Sequence, residues 1–283
     1  MSDVEFERNE VAHCLIFRLN RPDQLNAQSD EMQAGILKGL DELTADPDLR
    51  VGIITGAGRA FCVGADLKQM AQKNEENRDI EARFAAGEFT LADKLAAQRE
   101  VGALARQPVR TMGTNPYSLC PKPLIAAING PCVAGGMEIA MDCDIRIAST
   151  EAYFGLFEPK RGIMAGFGVN HLPRTMPVGE AMYFLLTADR MSPDQALRNG
   201  FVHEVLEPDA LLPRAIEIAT MISANAPLAV EGSKAMVQFW RHYALEESLR
   251  LFDAIRMPVL NSDDAKEGPR AFAEKREPRW SGT

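Results

Sequence analysis

Up to about Pro208, short apolar runs alternate with amphipathic stretches. Residues 11–19 (VAHCLIFRL) predict a strand, closed by the turn-forming Asn20-Arg21-Pro22-Asp23. Ser29 stands where an N-cap is wanted, and Met32, Ile36, Leu40 and Leu43 recur at helical spacing, so a helix follows to about Ala45. Residues 51–55 (VGIIT) predict a short buried strand ended by Gly56-Ala57-Gly58; 124–129 (LIAAIN), 145–148 and 201–205 (FVHEV) predict three more. Strands separated by helices in this way predict an α/β layered core. Beyond Pro208 the pattern becomes helical throughout. Leu212, Ile216, Ala219 and Ile222 form one stripe, and a second helix is expected over 227–240. A third begins with Leu245, Leu249 and Phe252, and a fourth covers 263–275. The weakest pattern lies over 71–121, where an Ala-rich middle (82–105) predicts helix and Gly102, Pro108, Gly113 and Pro116 break up its C-terminal part. No internal repeat is present.

Composition narrows the class without naming it. The 283 residues are 46% apolar and 25% charged, as expected of one soluble globular chain. A net charge of −9 argues against a phosphate-backbone partner and against an anionic lipid surface. Cys14, Cys62, Cys120, Cys132 and Cys143 are odd in number and contain no C-x-x-C pair, so buried reduced thiols are expected rather than a disulfide framework. His13, His171, His203 and His242 show no H-E-x-x-H spacing, and no metal site is expected. The opening MSDVEFERNE lacks the apolar segment of a signal peptide and the Arg-rich character of a transit peptide. No apolar run is long enough to cross a bilayer. A cytoplasmic protein is the expectation.

Two stretches carry candidate chemistry. From Ile53 to Lys68 (IITGAGRAFCVGADLK) a buried strand runs through a glycine turn and a small-residue loop into a helix expected to start at Asp66. The first N–H groups of a helix have no intrahelical partner and so suit an anion or a carbonyl oxygen. From Pro123 to Glu138 (PLIAAINGPCVAGGME) the arrangement repeats, with Glu138 in the first turn, where the helix dipole favours a carboxylate. Glu158 follows in Phe154-Gly155-Leu156-Phe157-Glu158. Taken singly, each admits a plain structural role: turn glycines, a dipole-stabilised glutamate, one acid among forty.

The combination is more specific. With Asn20-Arg21-Pro22, Leu25-Asn26-Ala27, Asp142-Cys143-Asp144 and the closing Phe272-Ala273-Glu274-Lys275-Arg276, these stretches in register resemble the enoyl-CoA hydratase/isomerase (crotonase) family over nearly the whole chain. The resemblance implies a crotonase-like spiral of ββα units with a C-terminal helical trimerisation region. It implies a core over 1–207 with an insertion over about 71–121, then a helical region over 208–283. It also implies an acyl-CoA thioester substrate, no cofactor beyond the coenzyme A of the substrate, and a homotrimer or dimer of trimers.

Residue by residue, Ala65 and Gly135 match the backbone N–H donors of the oxyanion hole, and Glu138 and Glu158 match the two catalytic glutamates of hydratases. Gln24, Leu25 and Ala27, with Ala65, Asp66, Leu67 and Lys68, match stretches that hold coenzyme A; Lys68 is a candidate for a CoA phosphate or a solvated surface lysine. Phe272 and Lys275 resemble tail residues that reach the adenine end. Gly166 matches a backbone position near the attacking water. Retention of both acids implies hydration of a trans-2-enoyl-CoA, Glu138 activating water and Glu158 delivering the C2 proton. The alternatives are isomerisation, acyl-CoA hydrolysis, a specialised dehydration, or a non-catalytic RNA- or partner-binding member, the last disfavoured by the acidic balance. Two segments depart from the pattern. Residues 162–172 (GIMAGFGVNHL) carry Ala165 where a Pro is usual, with Val169 and Asn170 in place of the usual continuation. The stretch between Met70 and Lys122 is longer than typical, so it is expected to reshape or lid the acyl pocket. His171 and Tyr117 lie in these segments as candidates for substrate contact or for packing.

Overall fold

Two strands occupy the first nineteen residues, where the pattern predicts one. β1 (Val4–Asn9) and β2 (Cys14–Leu19) form an antiparallel hairpin in which Val4 faces Leu19 and Asn9 faces Cys14. Residues 10–13 are its turn: His13 takes a left-handed φ of 49°, Asn9 Oδ1 accepts the N–H of Ala12, and Val11 is exposed. In β1 the glutamates alternate with Val4 and Phe6, so an edge strand with one wet face reads as polar.

The chain is described from a computed structural model covering residues 2–101, 116–242 and 245–283. β3 (Val51–Gly56), β4 (Leu124–Ile128), β6 (Ile145–Ser149) and β8 (Glu204–Leu206) extend the sheet in parallel, in the order β1-β2-β3-β4-β6-β8. Both faces of the central strands are buried. Leu15, Phe17, Leu19, Ile54 and Ala126 point into the larger core with helix Asp30–Ala45; Cys14, Ile16, Val51, Ile53, Ile125 and Ile147 meet Leu211, Ala215 and Ala219 of helix Pro208–Ser223. Continuous apolar strands such as 124–128 follow from this double coverage.

A smaller layer lies beside the large sheet. β5 (Cys132–Val133) and β7 (Phe154–Gly155) pair in parallel, Cys62 bridges to Cys132, Gln28 bridges to Ala65, and Phe154 bridges to Met191. Each turn of the chain therefore supplies a long strand, a short segment of the small layer, and a helix. β2, Gln28 and helix Asp30–Ala45 make the first turn; β3, residues 62–65 and helix Leu67–Ala85 the second. β4, β5 and helix Gly135–Asp142 make the third; β6, β7 and helix Gly168–Thr175 the fourth. This is the spiral of ββα units.

Ser29 caps helix Asp30–Ala45 by accepting the N–H of Met32, and at the other end the buried Lys122 ammonium donates to the carbonyls of Leu43, Asp46 and Leu49 at 2.7–2.8 Å. The helix expected over 82–105 is instead two. Helix Leu67–Ala85 ends before Gly87, which has φ +77°, and helix Leu91–Glu100 starts anew on a capping box between Thr90 and Asp93. The end of that expected helix, with Gly102, Pro108 and Gly113, lies outside the described residues. Lys94 and Gln98 tie these two helices together through Glu81, and Lys73 ties the first of them to Asp30. The strand expected at 201–205 is β8, shifted to Glu204–Leu206, and the helices Val178–Thr187 and Pro193–Arg198 precede it.

In the tail, helices Pro227–His242 and Leu245–Asn261 pack together, and helix Asp263–Glu274 follows. The last residues fold back over that helix. Asp264 accepts the N–H groups of Ser281 and Gly282, while Glu267 accepts from Arg270, Arg276 and the Arg279 N–H. Among the described residues no helix is long and apolar enough to cross a membrane.

Candidate active site

The second and third turns of the spiral meet at two glycines. Gly64 has φ +89°, and a Cβ there would lie 2.8 Å from Ala134 Cβ and 2.9 Å from the Gly135 nitrogen, so both its conformation and its space demand glycine. The loop before it is braced by two asparagines. Asn26, fully buried, donates to the carbonyls of Ala57 and Ala60; Asn129 accepts the N–H of Gly56 and donates to Gly58. The bridge to Gln28 uses the Gln28 N–H on the Gly64 carbonyl and the Asp66 N–H on the Gln28 carbonyl, which leaves the Ala65 N–H out of that pairing. Gly135 is the first residue of its helix, and its N–H lies outside the helical ladder. Ala134 before it takes φ 50° and ψ −128°, a sparsely populated conformation of the sort that costs about 1–3 kcal/mol and gathers at functional sites. Two backbone donors from adjacent turns thus stand side by side on small residues.

Asp66 caps helix Leu67–Ala85 by accepting from Lys68 and Gln69, and it pairs with Arg21 at 3.0 Å. Against the cost of desolvation, the Gln69 N–H, the Arg21 guanidinium and the Lys68 N–H hold its carboxyl below the usual range. Arg21 also donates to the Ala27 carbonyl, and its N–H goes to Asn26 Oδ1, so the turn carrying Gln24, Leu25 and Ala27 is fastened to the start of that helix. Gln24 is exposed, Leu25 half-buried with φ 51°, and Ala27 buried. Leu67 and Lys68 are exposed beyond the cap.

Glu138 lies in the helix that Gly135 starts, one turn on, half-buried. Its Oε1 accepts the N–H of Gly168 at 2.8 Å, and Gly166 sits close enough that a Cβ there would approach Oε1 to 3.9 Å. Glu158 begins a short 3-10 turn, Glu158–Arg161, on the fourth turn of the spiral. Its Oε2 is buried without a hydrogen-bond partner among the described residues. Burial first, and then the nearby Glu138 carboxylate, raise the Glu158 carboxyl above the ordinary glutamate range, against a hydrogen bond from its own backbone. The structure thus brings Ala65, Gly135, Glu138, Glu158 and Gly166 together. Phe272, 87% exposed, and Lys275, exposed at the left-handed end of its helix, are not buried against these loops in the single chain.

The likeness to known proteins agrees with this geometry. Two family models, both described as Enoyl-CoA hydratase/isomerase, match residues 80–283 and 14–101. The (E)-benzylidenesuccinyl-CoA hydratase of Thauera aromatica is 37% identical over 273 residues, 95% of this chain and 96% of that protein. The chain belongs to the enoyl-CoA hydratase/isomerase family. The crystal structure of enoyl-CoA hydratase EchA1 from Mycobacterium marinum, another member, matches with a TM-score of 0.82 at 35% identity over 100% of both chains. The mitochondrial Delta(3,5)-Delta(2,4)-dienoyl-CoA isomerase of Mus musculus is 30% identical over 98% of this chain and 83% of that protein. An acyl-CoA reaction of the enoyl-CoA hydratase/isomerase family is therefore what this chain performs.

Within this family member, Tyr117 and His171 are described residues of the two segments that depart from the sequence pattern, and residues 102–115 of the longer one lie outside the described residues. Tyr117 is buried in the larger core, and burial pushes its hydroxyl pKa well up. His171 is buried with its ring stacked on Phe167 at 3.3 Å between centroids, a packing arrangement within the helix Gly168–Thr175 segment. Two residues that the sequence pattern does not single out belong to the site. Gly168 holds Glu138, and Gln28 lies so close to Gly135 that a Cβ there would come within 2.9 Å of its Nε2. Gln28 directly follows the Leu25-Asn26-Ala27 motif, the one signal that points toward it. All five cysteines are free and buried; burial raises the thiols, Cys14 and Cys62 to about 11.

Proposed function

We propose that the chain adds water across the C2=C3 bond of a trans-2-enoyl-CoA to give a 3-hydroxyacyl-CoA. The observation that carries this reading is the pair of unlike carboxyls on neighbouring turns. Glu138 is held by a backbone donor, while Glu158 is driven toward its protonated form by burial. Two such groups divide the labour of acid and base. Glu138 takes a proton from water as the oxygen bonds to C3, the π electrons move toward the thioester carbonyl, and Glu158 delivers a proton to C2. The thioester oxygen gains enolate charge during the reaction, and the N–H groups of Ala65 and Gly135 stabilise it without reorganising. Loss of one such donor typically costs about 10²–10³ in rate. The thioester itself activates the bond, so the reaction draws on no cofactor beyond the coenzyme A of the substrate.

In this reading Lys68 and the Gln24–Ala27 turn face the CoA moiety, and Phe272 and Lys275 reach its adenine end within a homotrimer or dimer of trimers. The exposed Val178, Met182 and Leu186, spaced along one stripe of a helix, and Val237 and Trp240 on another fit subunit contacts. The test is to incubate the protein with 2-enoyl-CoAs of several chain lengths and resolve products by mass. Gain of one water, lowered by about 10²–10⁴ in Glu138→Gln and in Glu158→Gln, supports hydration. Unchanged mass with a moved double bond establishes isomerisation instead, and free CoA establishes hydrolysis.

A further inference from the structure

Helix Gly168–Thr175 begins without a cap of its own. Its N-cap residue, Phe167, makes no side-chain cap bond, and no acid stands in the first turn. The first N–H of that helix is answered from another element, by Glu138 Oε1 at 2.8 Å. Helix Gly135–Asp142, which carries Glu138, packs alongside it. The helix start also sits flush against its neighbour, since a Cβ on Gly168 would lie 2.7 Å from Leu156 Cδ1. A glutamate side chain ends in a soft torsion that ordinarily leaves its two oxygens interchangeable. One short bond from a fixed backbone donor removes that freedom.

We infer that Gly168 is a positioning residue: its N–H orients Glu138 by holding Oε1, and thereby presents Oε2 to the water that adds to the substrate. This rests on the hydratase reading of the same site. Glu158, whose buried Oε2 lacks any such donor, is left to act as the acid. The other titratable and charged side chains on the elements around Glu138 are His171 and Arg174 on helix Gly168–Thr175, Tyr117 on helix Pro116–Leu119 and Cys132 on β5.

The test removes the N–H while holding the packing constant. In a Leu156→Ala background, which clears the atom a side chain at 168 would meet, Gly168→Pro lacks the donor and Gly168→Ala keeps it. Proline is tolerated at the first position of a helix. Relative to the alanine variant, the proline variant is expected to lose about tenfold in kcat. Its KM should stay within about threefold, because the donor orients the base and does not touch the thioester. An ester in place of the Phe167–Gly168 amide repeats the comparison if the proline variant does not fold. Side-chain carbon NMR of labelled glutamates, with Glu138 assigned through Glu138→Gln, reads the loss of the fixed carboxylate without any substrate, as its resonance moves toward that of a free glutamate. A moved Glu138 resonance with a non-hydrated product keeps the positioning role and discards the hydratase reading. A hydrating parent whose kcat and Glu138 resonance coincide in the two variants overturns the positioning role.

Discussion

Gly136, second residue of the helix that carries Glu138, offers the sharpest test of how packing sets the site. A Cβ there would lie 2.1 Å from the Cys62 carbonyl oxygen and 2.7 Å from its carbon, where ordinary contact is about 3.4 Å. Both partners are backbone, so no side-chain rotation relieves the overlap. Gly136→Ala therefore has to drive helix Gly135–Asp142 away from the 62–65 segment by about 1 Å, and these are the two pieces that carry the Gly135 and Ala65 N–H groups. A misplacement of about 1 Å costs on the order of 10²-fold in rate. Overpacking of this kind costs about 1–3 kcal/mol of stability, less than a domain commonly holds. The expected variant is thus folded but slow: kcat and kcat/KM fall together by about 10², the mark of a lost transition-state interaction. Hydration of a short 2-enoyl-CoA, followed by loss of the conjugated thioester absorbance, reads the rate. A circular-dichroism melt reads the fold, with Gly179→Ala, whose Cβ meets nothing within 4 Å, as the control. Parent-like kcat with a parent-like melt would refute the claim that this contact spaces the donors.

Other consequences are open to equally direct measurement. Lys122→Met strips the donor from three backbone carbonyls at the end of helix Asp30–Ala45 and should cost about 3 kcal/mol in urea unfolding; a loss under about 1 kcal/mol would mean water replaces the ammonium. Because the Glu158 carboxyl is raised in the folded chain, its contribution to stability declines as pH rises through that pKa. Glu158→Gln should therefore melt higher relative to the parent at neutral than at acid pH, and a constant difference would contradict the burial cause. Glu267 is held well below the ordinary range by Arg276, Arg270 and the Arg279 N–H, so its stabilisation is present at neutral pH and lost as pH falls through its lowered pKa. Glu267→Ala should free residues 276–283 to limited proteolysis at neutral pH, with the gap to the parent narrowing in acid.

The parts of the fold legible in the sequence are those where one physical signal dominates. Residues 124–128 are buried on both faces, so an unbroken apolar run could only be internal. Ser29 and the Met32–Leu43 stripe are legible because cap and periodicity agree. β1 escapes the pattern because an edge strand needs only Val4 and Phe6 on its inner face, and two glutamates between and beside them look like solvent. The expected 82–105 helix fails on a single glycine: helical composition continues past Gly87, but its left-handed φ and the Thr90–Asp93 box restart the chain. Helix Gly168–Thr175 is hidden because its cap comes from Glu138, thirty residues earlier in sequence, a partner no local pattern reveals. The residues brought together as the site are nearly all nominated by the sequence, as are Arg21, Asn26 and Asp66 that brace its loops, whereas Gly168 and Gln28 are not. Holding depends on distances between turns, and those exist only once the spiral closes.

That spiral also distributes the site across interchangeable parts. In the proposed reading the donors come from the second and third turns, the base from the third and the acid from the fourth, and each is held by contacts from a neighbouring turn. A lineage could exchange the residue at 158 without removing either of the two N–H groups proposed to cradle a nascent enolate. On that reading the scaffold separates the generic task, taming a carbanion next to a thioester, from the particular one, choosing where its proton comes from. Selection can redraft the second while inheriting the first intact.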